Sequence, residues 1–299
     1  MRELVYTVTA EYDGQSLQSF LRRGNGYSTR MLARIKQIDR GMTADGRPIR
    51  TIDRVAAGQK IVLKLPEDTV QVEPVELPLE VLYEDEAVLL LNKPPRIAVH
   101  PSAGRTEPTV ANAVVAHYQK AGSPAAFRPL NRLDRNTSGL LLAAKNAHAA
   151  HVLSDARADG RLQKVYYAVA LGRLEGSGTI DQPIRIREGS CIAREVGEGG
   201  KPSVTHWQTL DSDGDITLLR VVIDTGRTHQ IRVHMAWLGH PLAGDTLYGI
   251  DGMRLPRHAL HCAEMDFPHP ESGELMRFTC PLPDDMAALL KNHGMANPF

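Results

Sequence analysis

The chain has 299 residues, 42% hydrophobic and 23% charged, with 3 cysteines. That is chain enough for two domains, or a large one with a small one, and its composition excludes a disordered protein. No apolar run approaches the roughly 18 residues of a membrane helix, the N-terminus lacks the apolar stretch of a signal peptide, and Cys191, Cys262 and Cys280 are too scattered for a disulfide framework. The expected setting is soluble, reducing and cytoplasmic. Basic and acidic side chains balance at 35 each, but unevenly: residues 1–64 carry 12 basic against 6 acidic, whereas 65–92 carry 8 acidic and none basic. A basic head points to a polyanionic partner, although a solvated charged surface gives the same pattern.

Residues 1–64 have the pattern of a small α/β module. LVYTVTA predicts a strand, Asp13-Gly14 a turn and QSLQSFLRR a short helix. Ser28 is placed to cap a second helix, TRMLARIKQIDR, with Met31, Ile35 and Ile38 at helical spacing and Gly41 where it should stop. Arg30, Arg34, Lys36 and Arg40 give that helix a basic face. Asp45-Gly46 predicts a tight hairpin turn and KIVLKL the last strand. Residues 65–80, with three prolines, five acidic residues and no helical period, form a linker. Its charge is expected to keep the basic head off the catalytic cleft of the domain that follows until a polyanion arrives.

From Val81 onward, strand-like runs (EAVLLLNKP, GLLLAAKN, KVYYAVALG, ITLLRVVIDTG) outnumber helical ones (TVANAVVAHYQKAG, NAHAAHVLSDAR, THQIRVHMAWLG, DDMAALLKNHG). Without regular βαβ alternation this predicts an α+β fold with a mainly antiparallel mixed sheet over 81–299.

Four stretches carry chemistry. In PLNRLDRNTSGLLLAAKN, turn residues place Asp134 on a loop at the mouth of a strand, and Arg132 or Arg135 nearby favours its ionised form; an Asx-turn with surface ion pairs is the plainer alternative. In KVYYAVALG, alternation puts Lys164, Tyr166 and Ala168 on one face, where Tyr166 either reaches a cleft or fills the core. In DTGRTHQIRVHMAWLGHPLAGDTLYG, Thr228 is the expected cap of a helix ended by Gly239, with Arg232 in its first turns; His229 and His234, five apart, do not share a face as a zinc pair would. In VLYEDEAVLLLNKPPRIAVHPS, a strand runs into a proline-stiffened loop at Lys93.

Taken in order, these stretches resemble the RluA-type pseudouridine synthases. The motif H-R-L-D-x-x-T-S-G is met by Asn131 to Gly139, G-R-T-H-Q-I-R-V-H by Gly226 to His234, and H-P-x-x-G-D-x-x-Y-G by His240 to Gly249. K-x-Y-x-A is met at Lys164, Tyr166 and Ala168, and R-x-x-L-H at Arg257, Leu260 and His261. Two positions depart from the pattern: Asn131 replaces a histidine and cannot titrate, and Arg96 replaces the glycine of K-P-x-G. The head resembles the small RNA-binding module first seen in the ribosomal small-subunit protein S-four, with Asp45 where that family usually has Asn.

The resemblance implies a central catalytic cleft and isomerisation of uridine to pseudouridine in ribosomal or transfer RNA. It implies no cofactor and no metal, and a monomer is the default. By motif match Asp134 is the covalent catalyst, Arg232 its salt-bridge partner, and Tyr166 the residue that stacks on the base and assists proton removal from carbon 5. Arg132 is expected to fill the vacated base stack and Leu260 to wall the pocket. Lys93, Arg227, His229 and Gln230 are expected to bind RNA or the base, with Arg30 and Arg34 supplying backbone contacts from the head. Two rivals stand beside this: a non-catalytic RNA-binding protein on a decayed synthase fold, and a metallohydrolase using His229, His234, His240, His258 and His261.

Overall fold

The computed structural model describes residues 3–65, 72–101, 107–122, 125–249 and 255–299; the side chain of Arg30 lies outside the described set. The first strands, β1 (Glu3–Thr7), β2 (Met42–Ala44), β3 (Arg47–Pro48) and β4 (Lys60–Lys64), form their own antiparallel sheet in the order β1-β4-β2-β3. Helix α1 (Leu17–Ser19), which runs on into a wider π turn, and α2 (Thr29–Ile35) close one face over a core that includes Leu17, Phe20, Leu21, Leu32, Ile35, Ile61 and Leu63. Asp45 and Gly46 join β2 to β3 with φ of 46° and 78°, the left-handed pair of a two-residue hairpin turn.

Ser28 caps α2 as expected, its hydroxyl accepting from Met31 N at 3.1 Å. The helix is shorter than its apolar spacing predicts, ending at Ile35 rather than Arg40. Residues 36–41 wind back in tighter turns, Ile38 N to Ile35 O and Gly41 N to Ile38 O, because Met42 must pair with Leu63 in β4. A side chain at Gly41 would strike the Ile35 carbonyl, so only glycine allows the return.

The remaining strands are β5 (Glu80–Glu84), β6 (Val88–Lys93), β7 (Arg128–Pro129), β8 (Ser138–Ala144), β9 (Gln163–Leu171), β10 (Ser177–Asp181), β11 (Ile184–Ile186), β12 (Arg194–Val196), β13 (Val204–Ser212), β14 (Ile216–Ile223), β15 (Leu260–Pro268) and β16 (Leu275–Thr279). All but the β11–β12 hairpin belong to one ten-stranded sheet, ordered β10-β13-β14-β9-β15-β8-β6-β5, with β16 beside β15 and β7 beside β8. Its pairings are antiparallel except β15 on β8, so the α+β, mainly antiparallel mixed expectation holds. Around it lie α3 (Val110–Lys120), α4 (Ala147–Ala158), α5 (Gln230–Trp237) and α6 (Asp284–Asn292). No helix among the described residues is long and apolar enough to cross a membrane.

Strand β9 shows why the sheet has two cores. Tyr166, Ala168 and Ala170 enter one cluster with Leu140, Leu219 and Leu260, while Val165, Tyr167 and Val169 enter another with Met286 and Leu290 of α6. At the single parallel junction, Gly139 faces Cys262 with φ of 107°, and a side chain there would strike the Cys262 carbonyl.

The small sheet is seated on the large one through side chains. The Tyr27 ring stacks on His148 at the start of α4, with centroids 4.0 Å apart and planes 13° from parallel, and both residues are buried. Ala147 packs against the small core. Residues 66–71 of the expected acidic linker lie outside the described residues. Helix α4 then runs from that seat to the rim of the main cleft, where Arg157 and Ala158 stand.

Candidate active site

A cleft of about 860 Å³ opens where the loop before β8, the start of β9, the end of β14 and the start of α5 meet. Such a volume suits a nucleotide-sized ligand. Asp134 stands on its floor in the turn before β8, and local bonds fix that turn. Asn131 donates to Leu140 O and accepts from Leu142 N, both at 3.0 Å, so it locks the loop backbone as expected of an amide in that place. Thr137 N donates to Asp134 O at 3.0 Å, while the Thr137 hydroxyl meets His258 Nε2 at 2.8 Å. Arg257, gripped by Asp285 through two bonds of 2.7 and 2.8 Å, donates to Asn136 O at 3.1 Å.

Lys93 is fully buried and its Nζ donates to the carbonyls of Pro94, Ile97 and Arg135 at 2.8, 3.0 and 3.1 Å. It ties the proline loop to the Asp134 turn and does not line the cleft. Burial pushes its amine down to about 7. Arg96 has φ of 70°, so the loop keeps a glycine-like backbone although its glycine is absent. Arg135 faces away from Asp134: it pairs with Glu107 at 2.9 Å and donates to Arg96 O. The cation beside Asp134 is therefore neither Arg135 nor Arg132, which stands exposed on the cleft wall.

That cation is Arg232. Its Nη1 lies 3.3 Å from Asp134 Oδ2, the pairing expected from the sequence. Its stronger partner was not anticipated: Asp245 takes Nε and Nη2 in two bonds of 2.7 and 2.8 Å. Burial alone would raise the Asp245 carboxyl, but the Arg232 guanidinium and backbone amides hold it below the usual carboxylate range. Asp245 occupies a fixed position of the H-P-x-x-G-D-x-x-Y-G block; the buried role of that Asp is legible only where α5 and the following loop meet.

Thr228 does not cap α5. His229 takes that place with φ of 59°, and the Gln230 carboxamide does the fastening. Gln230 accepts from Arg227 N and the Thr225 hydroxyl, and donates to Val204 O and the Thr205 hydroxyl. Gln230 is buried, whereas Arg227 is exposed and donates to Pro202 O; both border the cleft. His229 Nε2 is 3.9 Å from Asp134 Oδ2.

Tyr166 and Leu260 form the apolar wall, each 4% exposed. Burial pushes the Tyr166 phenol well above its ordinary value, and Tyr166 pairs across the strands with the buried Cys262 of β15. The histidines of the metallohydrolase rival are scattered. His234 binds Thr205 and Gln182, His240 binds Leu171 O, and His261 binds Ser138 and Cys280. Among the described residues no group of three or more His, Cys, Asp or Glu is disposed to hold a metal. Arg34 lies far off in sequence, exposed on α2 of the small sheet.

Comparison with known proteins follows the same ground. Residues 87–237 match the family model described as RNA pseudouridylate synthase. The chain is 41% identical to a Bacillus subtilis protein named uncharacterized RNA pseudouridine synthase YjbO, over 90% of this chain and 96% of that one. It is 33% identical to ribosomal large subunit pseudouridine synthase D of Escherichia coli K12, over 97% and 94%. Among solved structures, human RNA pseudouridylate synthase domain containing 4 superposes with a TM-score of 0.60 at 20% identity, covering 74% of this chain and 95% of that one. Human RNA pseudouridylate synthase domain containing 1 gives 0.55 at 26%, covering 74% and 97%.

Proposed function

This chain belongs to the RNA pseudouridylate synthase family, and from that premise we propose which of its residues turn uridine into pseudouridine in RNA, and in which RNA. The reaction is an isomerisation. The bond from the anomeric carbon to ring nitrogen 1 breaks, the uracil rotates, and carbon 5 bonds to the same anomeric carbon. A proton leaves carbon 5 and one is gained at nitrogen 1, so nothing is oxidised and no group is added.

Asp134 is the carboxylate that works at the anomeric carbon. The observation that carries this is its place on the cleft floor against Arg232, whose own position is clamped by Asp245. Arg232 donates to the Asp134 carboxylate within an enclosed site and fixes which oxygen it holds. Tyr166, protonated at neutral pH, offers its ring to the extruded uracil, and its hydroxyl relays the carbon 5 proton, taking it up as its own hydrogen passes on to solvent water. Leu260 shields the base from water. Arg132, exposed at the cleft wall, fills the gap left in the RNA stack, a use to which a planar guanidinium is suited. Arg227, His229 and Gln230 shape the opposite rim, and Lys93 acts on the RNA only through the loop it anchors. Residues 1–64 form an RNA-binding module joined by the linker 65–80 to the catalytic domain 81–299, with Arg34 of its basic helix contributing to contact with the RNA backbone. The protein works in the cytoplasm as a monomer.

The substrate is ribosomal RNA of the large subunit, supported by the relatives whose names say so; transfer RNA is the second candidate. Release of tritium from RNA labelled at uridine carbon 5 tests the chemistry. Asp134→Asn is expected to lower it by at least about 10³-fold; a variant that keeps its rate removes Asp134 from the reaction. Mapping pseudouridines in cellular RNA with and without the gene decides the substrate.

A further inference from the structure

His229 and Tyr248 sit beside Asp134 in an arrangement that base contact does not explain. His229 is a non-glycine residue in left-handed backbone, the sort of conformation kept where a side chain must be aimed. Its Nδ1 is 2.7 Å from the Tyr248 hydroxyl, and the two rings meet edge to face at 5.6 Å. The same hydroxyl accepts Arg194 N–H at 2.9 Å, from β12. The guanidiniums of Arg187 and Arg232 lie 5.9 and 5.0 Å from the Tyr248 ring centre, and its amide N–H donates to Asp245. Tyr248 is thus held by the β11–β12 hairpin, by the Arg232–Asp245 clamp and by His229 at once.

These contacts fix the proton. The hydroxyl already accepts an amide hydrogen, and among the described residues Nδ1 is the one acceptor within reach of its own hydrogen, so we place that hydrogen on the bond to Nδ1 and the imidazole hydrogen on Nε2. Nε2 faces Asp134 Oδ2, the oxygen that Arg232 also reaches. The groups around His229 are Asp134, Arg232, Arg194, Asp245 and Tyr248, and burial keeps the ring neutral at pH 7. Among the described residues Asp134 Oδ1 has no hydrogen-bond partner.

Resting on the assignment of Asp134 above, we propose that Tyr248 and His229 form a positioning pair, Tyr248 fixing the tautomer of His229 so that its Nε2–H and Arg232 both hold Oδ2 and leave Oδ1 to the sugar. His229 is then a donor to the carboxylate and cannot serve as the base that takes the carbon 5 proton. Closing the 3.9 Å gap to a hydrogen bond requires only a small movement when RNA excludes water.

A double-mutant cycle on single-turnover rates with saturating RNA tests this. Tyr248→Phe keeps the ring and loses the hydroxyl; the rate is expected to fall about tenfold with RNA affinity within about twofold of wild type. His229→Ala is expected to cost more. The double variant should be no slower than His229→Ala, because Tyr248 acts through His229. An unchanged Tyr248→Phe rate, or losses that simply multiply, overturns the proposal. Should Tyr248→Phe not fold, His229→Gln, which keeps a side-chain N–H donor, is expected to exceed His229→Ala severalfold; equal rates overturn it. A wild-type protein that forms no pseudouridine would fail the functional assignment itself, which is read separately.

Discussion

In the small sheet, Arg22, Arg23, Arg34 and Lys36 stand at the surface, whereas in the large sheet Lys93, Arg232 and Arg257 are buried against fixed partners. Both regions are rich in cations, yet the physics differs. A surface cation acts over a Debye length of about 8–10 Å, is screened by salt and tolerates exchange for another cation. A buried one holds geometry, and removing its partner leaves an uncompensated charge. The Arg232 and Asp245 side chains are 8% and 0% exposed, and those of Arg257 and Asp285 are 1% and 30%. These pairs position the Asp134 turn and the start of α5; the surface group can attract a polyanion but cannot orient one atom.

The comparison is broken most directly at Asp245. Asp245→Asn leaves Arg232 without its clamp, and a single-turnover rate about 10²-fold lower is expected, with little change in RNA affinity. A rate close to wild type would show that Asp134 alone holds Arg232.

A titration sharpens the comparison on the side of the buried groups. His261 receives a hydrogen bond from the Ser138 hydroxyl and donates to Cys280 O, and burial lowers its imidazole from 6.5 to about 4. The folded chain then stays unprotonated at His261 while the unfolded chain binds a proton. Stability from this residue is fully present above about pH 6.5 and is lost as the pH falls toward 4, reaching ~3 kcal/mol. Urea unfolding of the wild type and His261→Gln across pH 4–7 measures it; parallel curves would place the proton on both states alike.

The smallest effect is expected at the surface. Arg34→Ala with Lys36→Ala should weaken RNA binding modestly at low salt and reduce the slope of log affinity against log salt by about 1 to 2. Filter binding between 50 and 300 mM salt is the measurement, and an unchanged slope would mean that this face does not meet RNA.

Much of the candidate site was legible from local pattern. Turn residues placed Asp134 at a strand mouth, alternation put Tyr166 on one face of β9 with Lys164 and Ala168, and the Asp134–Arg232 pairing followed the motif match. The anchoring role of Lys93 was not legible, because its three acceptors lie on backbone carbonyls whose convergence no side-chain pattern encodes. Nor was the place of Arg135, adjacent in sequence to Asp134 yet turned toward Glu107. The length of α2 was misjudged for a related reason: Ile38 continues a helical stripe, but strand pairing of Met42 ends the helix sooner.

What the sequence determined alone is periodicity and local chemistry: which runs are strands, which residues turn, and that Gly41 stands where a helix must stop. What the tertiary structure decided is every relation spanning many residues of chain. It chose Asp245 as the firm partner of Arg232, Tyr248 as the neighbour of His229, and His148 as the seat of Tyr27. The reason is that hydrogen-bond and ring geometry is set to tenths of an ångström by the packing of whole elements. A sequence pattern fixes only the face on which a side chain emerges.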